Sequence, residues 1–94
     1  MKDTIIKFIT EHKKEIHNMG VKRIGIFGSF ARGEENEDSD IDFAVKMDDE
    51  NRAENYFKLL HYLEDGLKRK IDLGIEENIK PSVKEIVEKE IIYV

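Results

Sequence analysis

Two aspartates separated by a single residue are the feature of this sequence that most directly suggests chemistry. Asp40 and Asp42 lie at the start of the apolar run Ile41–Val45. Because successive residues of a strand point to opposite faces, the two carboxylates share one face and the apolar side chains share the other. Carboxylates beside apolar residues cost free energy unless a cation or hydrogen-bond donors compensate them. The pair indicates metal-assisted phosphate chemistry, although a turn cap at Asp40 and an exposed Asp42 would explain it equally well.

A glycine–serine corner precedes this pair along the chain. Gly28 and Ser29 follow a strand predicted from Val21 to Phe27 and lead into a helical turn predicted over 30–32 and closed by Gly33. Gly28 has no Cβ, so a ligand can approach its backbone closely, and Ser29 suits the N-cap of a turn whose free N–H groups could bind an anion. No Gly-Lys-Ser/Thr follows, which excludes a Walker-type loop. Taken alone, such a corner is more commonly an ordinary strand-to-helix connection.

A third carboxylate repeats the pattern of the first two. In the strand predicted over 70–75, the apolar side chains share one face and Asp72 lies on the opposite one. If this strand neighbours the earlier one and both apolar faces contact helices, Asp72 joins Asp40 and Asp42. Three carboxylates near a corner that could bind phosphate form a much more specific signal than any one of them.

Helices at either side must position these strands. The apolar spacing predicts an amphipathic helix over 3–19 that ends at Gly20, and a long helix from about residue 48 to about Arg69. Pro81 suits the first turn of a last helix, in which Val83, Ile86 and Val87 are predicted to face inward. The final four residues, 91–94, are predicted to form a terminal strand or a buried tail.

Composition limits the kinds of function. The chain has 94 residues, which predicts one domain over 1–94, and it has no cysteine for disulfides, thiolate metal sites or nucleophilic catalysis. A net charge of −5 without a large basic cluster disfavours direct nucleic-acid binding, whereas a triphosphate bound through metal ions is compatible with an acidic site. The longest apolar runs are too short for a membrane span, so we expect a cytoplasmic protein with no membrane association.

The motifs together resemble those of a known superfamily. The run Gly28–Gly33 (GSFARG), then Ser39–Asp42 (SDID), and then Asp72 within Lys70–Leu73 (KIDL) are similar to the motifs of the DNA polymerase beta superfamily of nucleotidyltransferases. The small, stand-alone minimal nucleotidyltransferases are the most similar group, and the resemblance covers nearly the whole chain. It implies an α/β (α+β) fold with a mixed β-sheet of about four strands and helices packed on one face.

The resemblance also implies a reaction. A nucleoside monophosphate, AMP from ATP, would be transferred to a hydroxyl acceptor with the help of two Mg²⁺ ions. Asp40 and Asp42 would bind both ions, and Asp72 would bind the catalytic one and help to activate the acceptor hydroxyl. Two ions can stabilise both the attacking and the leaving oxygen of an in-line displacement at phosphorus.

The resemblance implies a nucleotide-binding role for the corner as well. Gly28 and Ser29 would hold the β- and γ-phosphates of the triphosphate. Arg32 has two roles that are equally compatible with the sequence: it could contact phosphate, or it could pair with the acidic loop 34–38 and fix the corner.

The resemblance leaves the acceptor open. Larger members of the superfamily carry an additional domain that binds the acceptor, so here we expect a separate protein chain to supply it. Minimal nucleotidyltransferases commonly pair with small HEPN proteins in toxin–antitoxin systems, where adenylylation neutralises the toxin. Two alternatives remain: a non-catalytic antitoxin that acts by binding alone, and nucleotidyl transfer to a small molecule such as an aminoglycoside, by a homodimer that builds the acceptor site across its interface.

Overall fold

A mixed sheet of four strands is the centre of the fold in the computed structural model, which describes all residues from 1 to 94. The strands are β1 (Val21–Phe27), β2 (Ile41–Met47), β3 (Ile71–Ile75) and β4 (Ile92–Tyr93). Their order across the sheet is β3-β2-β1-β4. β1 is antiparallel to both β2 and β4, whereas β2 and β3 are parallel. The mixed four-stranded sheet that the resemblance implies is therefore confirmed.

Five helices and one short 3₁₀ turn connect the strands. They are α1 (Lys2–Glu11), α2 (Lys13–Asn18), α3 (Gly28–Arg32), α4 (Arg52–Leu67), the 3₁₀ turn Glu76–Asn78 and α5 (Pro81–Glu90). The single helix predicted over 3–19 is wrong in one respect, because the backbone leaves helical geometry at His12 (φ −111°, ψ 18°) and divides it into α1 and α2. The predicted start of the long helix near residue 48 is also wrong, since α4 begins at Arg52.

The main hydrophobic core lies between one face of the sheet and the helices α1, α2 and α4. The alternating apolar residues of the strands meet the apolar stripes of these helices, as strand and helix periodicity require. The fully buried side chains of this core include Ile5, Ile9, Ile26, Phe30, Ile41, Phe43, Val45, Leu59 and Leu63. Burial of this layer fixes the opposite face as the one that presents Asp42 and Asp72.

Helix α5 packs on that opposite face, whereas the resemblance implies helices packed on one face of the sheet. Gly25 of β1 leaves a gap that Ile91, the residue after α5, fills, since a Cβ on Gly25 would lie 2.6 Å from the Ile91 side chain. Val87 is the buried residue of α5. The prediction that Val83 and Ile86 also face inward is wrong, because both side chains are exposed. The contact with Gly25 brings the carboxyl end of α5 to the corner between β1 and α3.

None of the helices combines the length and the hydrophobicity that a transmembrane segment requires.

Candidate functional site

Asp42 and Asp72 lie side by side on neighbouring strands. They are register partners in the parallel pair β2–β3, so both side chains leave the sheet on the same face, away from the main core. Asp42 is half-buried and Asp72 is exposed. Strand alternation predicted this juxtaposition, and the structure brings the two residues together as expected.

The environment of Asp42 disfavours its negative charge. Burial is the largest of several causes that together raise the pKa of its carboxyl group from an ordinary value of 3.8 to about 6. Asp72 contributes to this rise, both by charge repulsion and by a hydrogen bond, and the charge of Asp40 adds a smaller part. Arg32 acts weakly in the other direction. A cation placed among these carboxylates would remove the electrostatic cost.

Asp40 lies just outside the strand rather than within it. β2 begins at Ile41, whose N–H donates to the carbonyl of Lys70 at 3.0 Å. Asp40 is half-buried in the end of the preceding loop, and it is close enough to Asp42 to affect the pKa of that residue. The loop, and not strand alternation, therefore positions the first carboxylate.

Arg69 anchors that loop, a role that the sequence pattern does not predict. Its Nη2 donates to three backbone carbonyls of the loop, those of Asn36, Glu37 and Ser39, at 3.1 to 3.2 Å. The guanidinium also lies over the ring of Phe30, 5.1 Å from its centroid. Because Ser39 directly precedes Asp40, these hydrogen bonds fix the chain at the point where Asp40 enters the site.

The three carboxylates are suitable ligands for magnesium, but their side chains are not arranged as a metal-binding site. Carboxylate oxygens are the ligands that Mg²⁺ prefers in proteins, and the raised pKa of Asp42 fits a place built for positive charge. No group of three carboxylate or imidazole side chains is, however, already arranged as a metal-binding cluster.

Gly28 is required by the geometry of the corner itself. Its φ of +74° lies in the left-handed region, and a Cβ at this position would overlap the Asp42 carboxylate. The corner and the carboxylates therefore form one continuous site. The prediction that Ser29 caps the helix is wrong, because Phe27 occupies the N-cap of α3 and no side chain caps it. Ser29 is half-buried within the first turn of α3.

Glu90, the last residue of α5, occupies the corner in this structure. The Gly28 N–H donates to its Oε2 at 3.2 Å, and Nη1 of Arg32 donates to its Oε1 at 2.8 Å. Arg32 also donates through Nε to Glu34 at 2.6 Å, which is the pairing with the acidic loop that the sequence allowed. These two carboxylates raise the pKa of Arg32. No local sequence signal identifies Glu90, which is 62 residues from Gly28.

The carboxylate site is partly open to solvent, because Asp72 is exposed while Asp40 and Asp42 are half-buried. A cleft of about 220 Å³ lies between α5 and the sheet, but it is lined by Ala44 and Lys46 of β2 and contains none of the three aspartates. The exposure of Asp72 likewise leaves the site accessible to a large partner. An open carboxylate cluster beside a glycine corner can contact a nucleotide and a macromolecular acceptor at the same time.

Comparison with known proteins identifies the family. The model of the nucleotidyltransferase domain matches residues 5–94. The chain belongs to the nucleotidyltransferase domain family. The match spans all the site residues described above, from the Gly28 corner to Glu90.

Sequence relatives of this nucleotidyltransferase domain are named as protein adenylyltransferases. The protein adenylyltransferase MntA of Thermococcus cleftensis is 37% identical over 93 residues, which cover 98% of this chain and 94% of that protein. A protein assigned as a protein adenylyltransferase in Methanocaldococcus jannaschii is 42% identical over 94 residues, covering 96% of this chain and 94% of the relative.

Solved structures share the fold of this nucleotidyltransferase domain. A protein assigned as a minimal nucleotidyltransferase superimposes with a TM-score of 0.75, at 28% identity, over 97% of this chain and 86% of that one. A toxin–antitoxin crystal structure with AMP-PNP superimposes with a TM-score of 0.70 over 98% of this chain and 70% of that one. Its identity of 22% shows likeness of fold alone.

Proposed function

We propose that this nucleotidyltransferase is a Mg²⁺-dependent adenylyltransferase that transfers AMP from ATP to a hydroxyl group of a separate protein, with residues 1–94 forming one catalytic domain. The observation that carries the proposal is the shared location of Asp42, Asp72 and the Gly28 corner. This reaction requires a metal-binding group and a phosphate-binding group, and the residues that we propose for these two roles are in direct contact.

Asp40, Asp42 and Asp72 would hold the metal ions. When bound, two Mg²⁺ ions supply charge stabilisation for the attacking and the leaving oxygen. The fold would position these three carboxylates. Strands β2 and β3 hold Asp42 and Asp72 in register, and the loop bound by Arg69 holds Asp40. Asp72 is the exposed member, so it is the carboxylate best placed to accept a proton from an incoming hydroxyl.

Gly28, Ser29 and Arg32 would bind the triphosphate. The Gly28 N–H already donates to a carboxylate oxygen, which demonstrates that the corner accommodates an anionic oxygen. Arg32 extends to the same carboxylate, so both donors converge on one point. A phosphate group at that point would receive a backbone and a guanidinium hydrogen bond next to the metal-binding carboxylates.

The acceptor would be a HEPN-type toxin, with this protein as its antitoxin. Two lines of support apply: the relatives are named protein adenylyltransferases, and similar folds occur in structures described as toxin–antitoxin complexes. The open carboxylate site agrees with a folded protein as acceptor, because a macromolecule can reach an exposed Asp72.

The test uses ATP labelled on its α-phosphate, Mg²⁺, and the product of the neighbouring gene as candidate acceptor. We expect that product to gain label and the mass of one AMP with wild-type protein. Asp72→Asn should abolish the labelling, and Asp65→Asn, which removes an exposed carboxylate of α4, should not. Absence of labelling with wild-type protein that still neutralises the partner would contradict the proposal and support action by binding alone.

A further inference from the structure

The carboxylate of Glu90 makes the contacts that a phosphate oxygen would make in the corner. It accepts hydrogen bonds from the Gly28 N–H and from Arg32, one through each oxygen. Only 20% of its side chain is exposed, although it belongs to the end of a helix whose neighbouring residues are mostly solvent-exposed. Both contacts are charge-assisted, which makes them stronger than hydrogen bonds between neutral groups.

The Gly28 N–H has a single proton and cannot serve two acceptors at full strength. While Glu90 accepts it, the backbone donor is not free for a nucleotide. The negative charge of Glu90 also repels a triphosphate that approaches the same point. Asp42 also lies against Gly28, where a Cβ would overlap its carboxylate, so an incoming phosphate meets a second carboxylate near this residue.

The place of Glu90 is fixed by the packing of its neighbours in the chain. Val87 is buried against the sheet, and Ile91 fills the gap above Gly25. The backbone at residue 90 is therefore held between two apolar contacts, and its side chain is delivered to the corner. Rotation of that side chain alone would clear the corner without movement of α5.

We propose that Glu90 is an internal competitor for the triphosphate-binding corner, so that nucleotide binding requires its carboxylate to leave Gly28 and Arg32. The proposal rests on the proposed function, because it assigns the corner to phosphate. It makes Glu90 a residue that sets nucleotide affinity while remaining outside the group of metal-binding carboxylates. When the nucleotide binds, Arg32 exchanges its hydrogen bond to Glu90 for a hydrogen bond to the phosphate.

The experiment measures the affinity of the full chain for inorganic tripolyphosphate with Mg²⁺, by titration calorimetry. Tripolyphosphate is used because it contains the anionic part of the nucleotide without base or ribose. Wild type is compared with Glu90→Ala and with Glu88→Ala, which removes the same charge from the same helix at an exposed position without a contact to Gly28 or Arg32. Circular dichroism verifies that each variant is folded.

We expect Glu90→Ala to bind tripolyphosphate about fivefold tighter or more, and Glu88→Ala to bind it with nearly wild-type affinity. Equal or weaker binding by Glu90→Ala, with clear binding by wild type, would overturn the inference and leave the proposed function standing. Equal gains in both variants would overturn it too, since general charge would then be the cause. No binding by any of the three proteins would overturn both the inference and the proposed use of the corner.

Discussion

Asp42 is surrounded by carboxylates and by a sheet that partly excludes water from it. In the folded protein its pKa is about 6, whereas an unfolded chain would return it to its ordinary value of 3.8. Between these two values the folded state binds more protons than the unfolded state. The contribution of Asp42 to the free energy of unfolding therefore falls as the pH rises from about 4 to about 6.

Asp42→Asn should remove this pH-dependent loss of folding stability. Because the side chain is only half-buried, solvent screening reduces the effect, and we expect a gain of about 1 kcal/mol at pH 7. The measurement is urea denaturation of wild type and variant at several pH values. The two proteins should converge in stability below about pH 4, because wild-type Asp42 is then largely protonated in both the folded and the unfolded state.

The same substitution should reduce AMP transfer by orders of magnitude while leaving a partner protein bound. Greater stability together with lost activity is the expected signature of a functional carboxylate. A less stable Asp42→Asn variant would show instead that the charged form is stabilised in the folded protein.

Arg69 has a positioning role, because its hydrogen bonds hold the loop that carries Asp40. Arg69→Ala should free the loop that carries Asp40 and lower AMP transfer by about 10- to 100-fold, as expected for loss of a group that orients a proposed metal ligand. Arg69→Lys should recover part of the activity, because an ammonium group can also donate to several carbonyls. Lys70→Ala, the exposed neighbour, serves as control. Activity unchanged in Arg69→Ala would show that Asp40 is positioned without this anchor.

The carboxyl end of α4 has a backbone conformation that its residue does not favour. Lys68 is the C-cap in the left-handed region, with φ of +55° and ψ of 36°. Lys68→Gly should raise the free energy of unfolding by roughly 0.5–1 kcal/mol, because glycine reaches this region without steric cost. Lys58→Gly, within the same helix, should lower it by about 1 kcal/mol. Thermal or urea denaturation of both variants measures the two effects, and a shift in the same direction would contradict this account.

Periodicity predicted most elements of the fold, since strands and helices with one buried face carry a strong repeat. The orientation of α5 could not be predicted in this way. Its apolar residues lie on more than one side of the helix, and the buried one, Val87, lies one turn before Ile91, which fills the gap above Gly25 of a distant strand. Only knowledge of which strand lies beneath the helix distinguishes the two sides.

The residues of the candidate site also fall into two groups, those that could be predicted from the sequence and those that could not. Asp42 and Asp72 could be paired from sequence because strand alternation places each one opposite its apolar neighbours. Glu90 and Arg69 could not, because each acts across a long separation in sequence on a backbone group that has no residue-specific signal. Contacts of a side chain with distant backbone atoms leave no local pattern.

At the scale of the whole molecule, the site lies near one edge of the sheet. β3 is an outermost strand, so one side of its backbone has no partner strand. Tyr56 covers part of this region by donating its hydroxyl to the Leu73 carbonyl at 2.6 Å. On this edge strand, Asp72 alternates with Ile71 and Leu73, whose side chains are buried.

The position of β3 gives Asp72 an effect on self-association. An outer strand rich in apolar and β-branched residues is a template for pairing with another chain, and a charge within it opposes such pairing. Asp72→Val should therefore aggregate at concentrations at which Asp72→Lys stays dispersed, as measured by light scattering. If both variants scatter equally, the charge at this border does not control association. The carboxylate proposed to receive a proton from the acceptor would thus also help to keep one copy of the protein from adding to the sheet of the next.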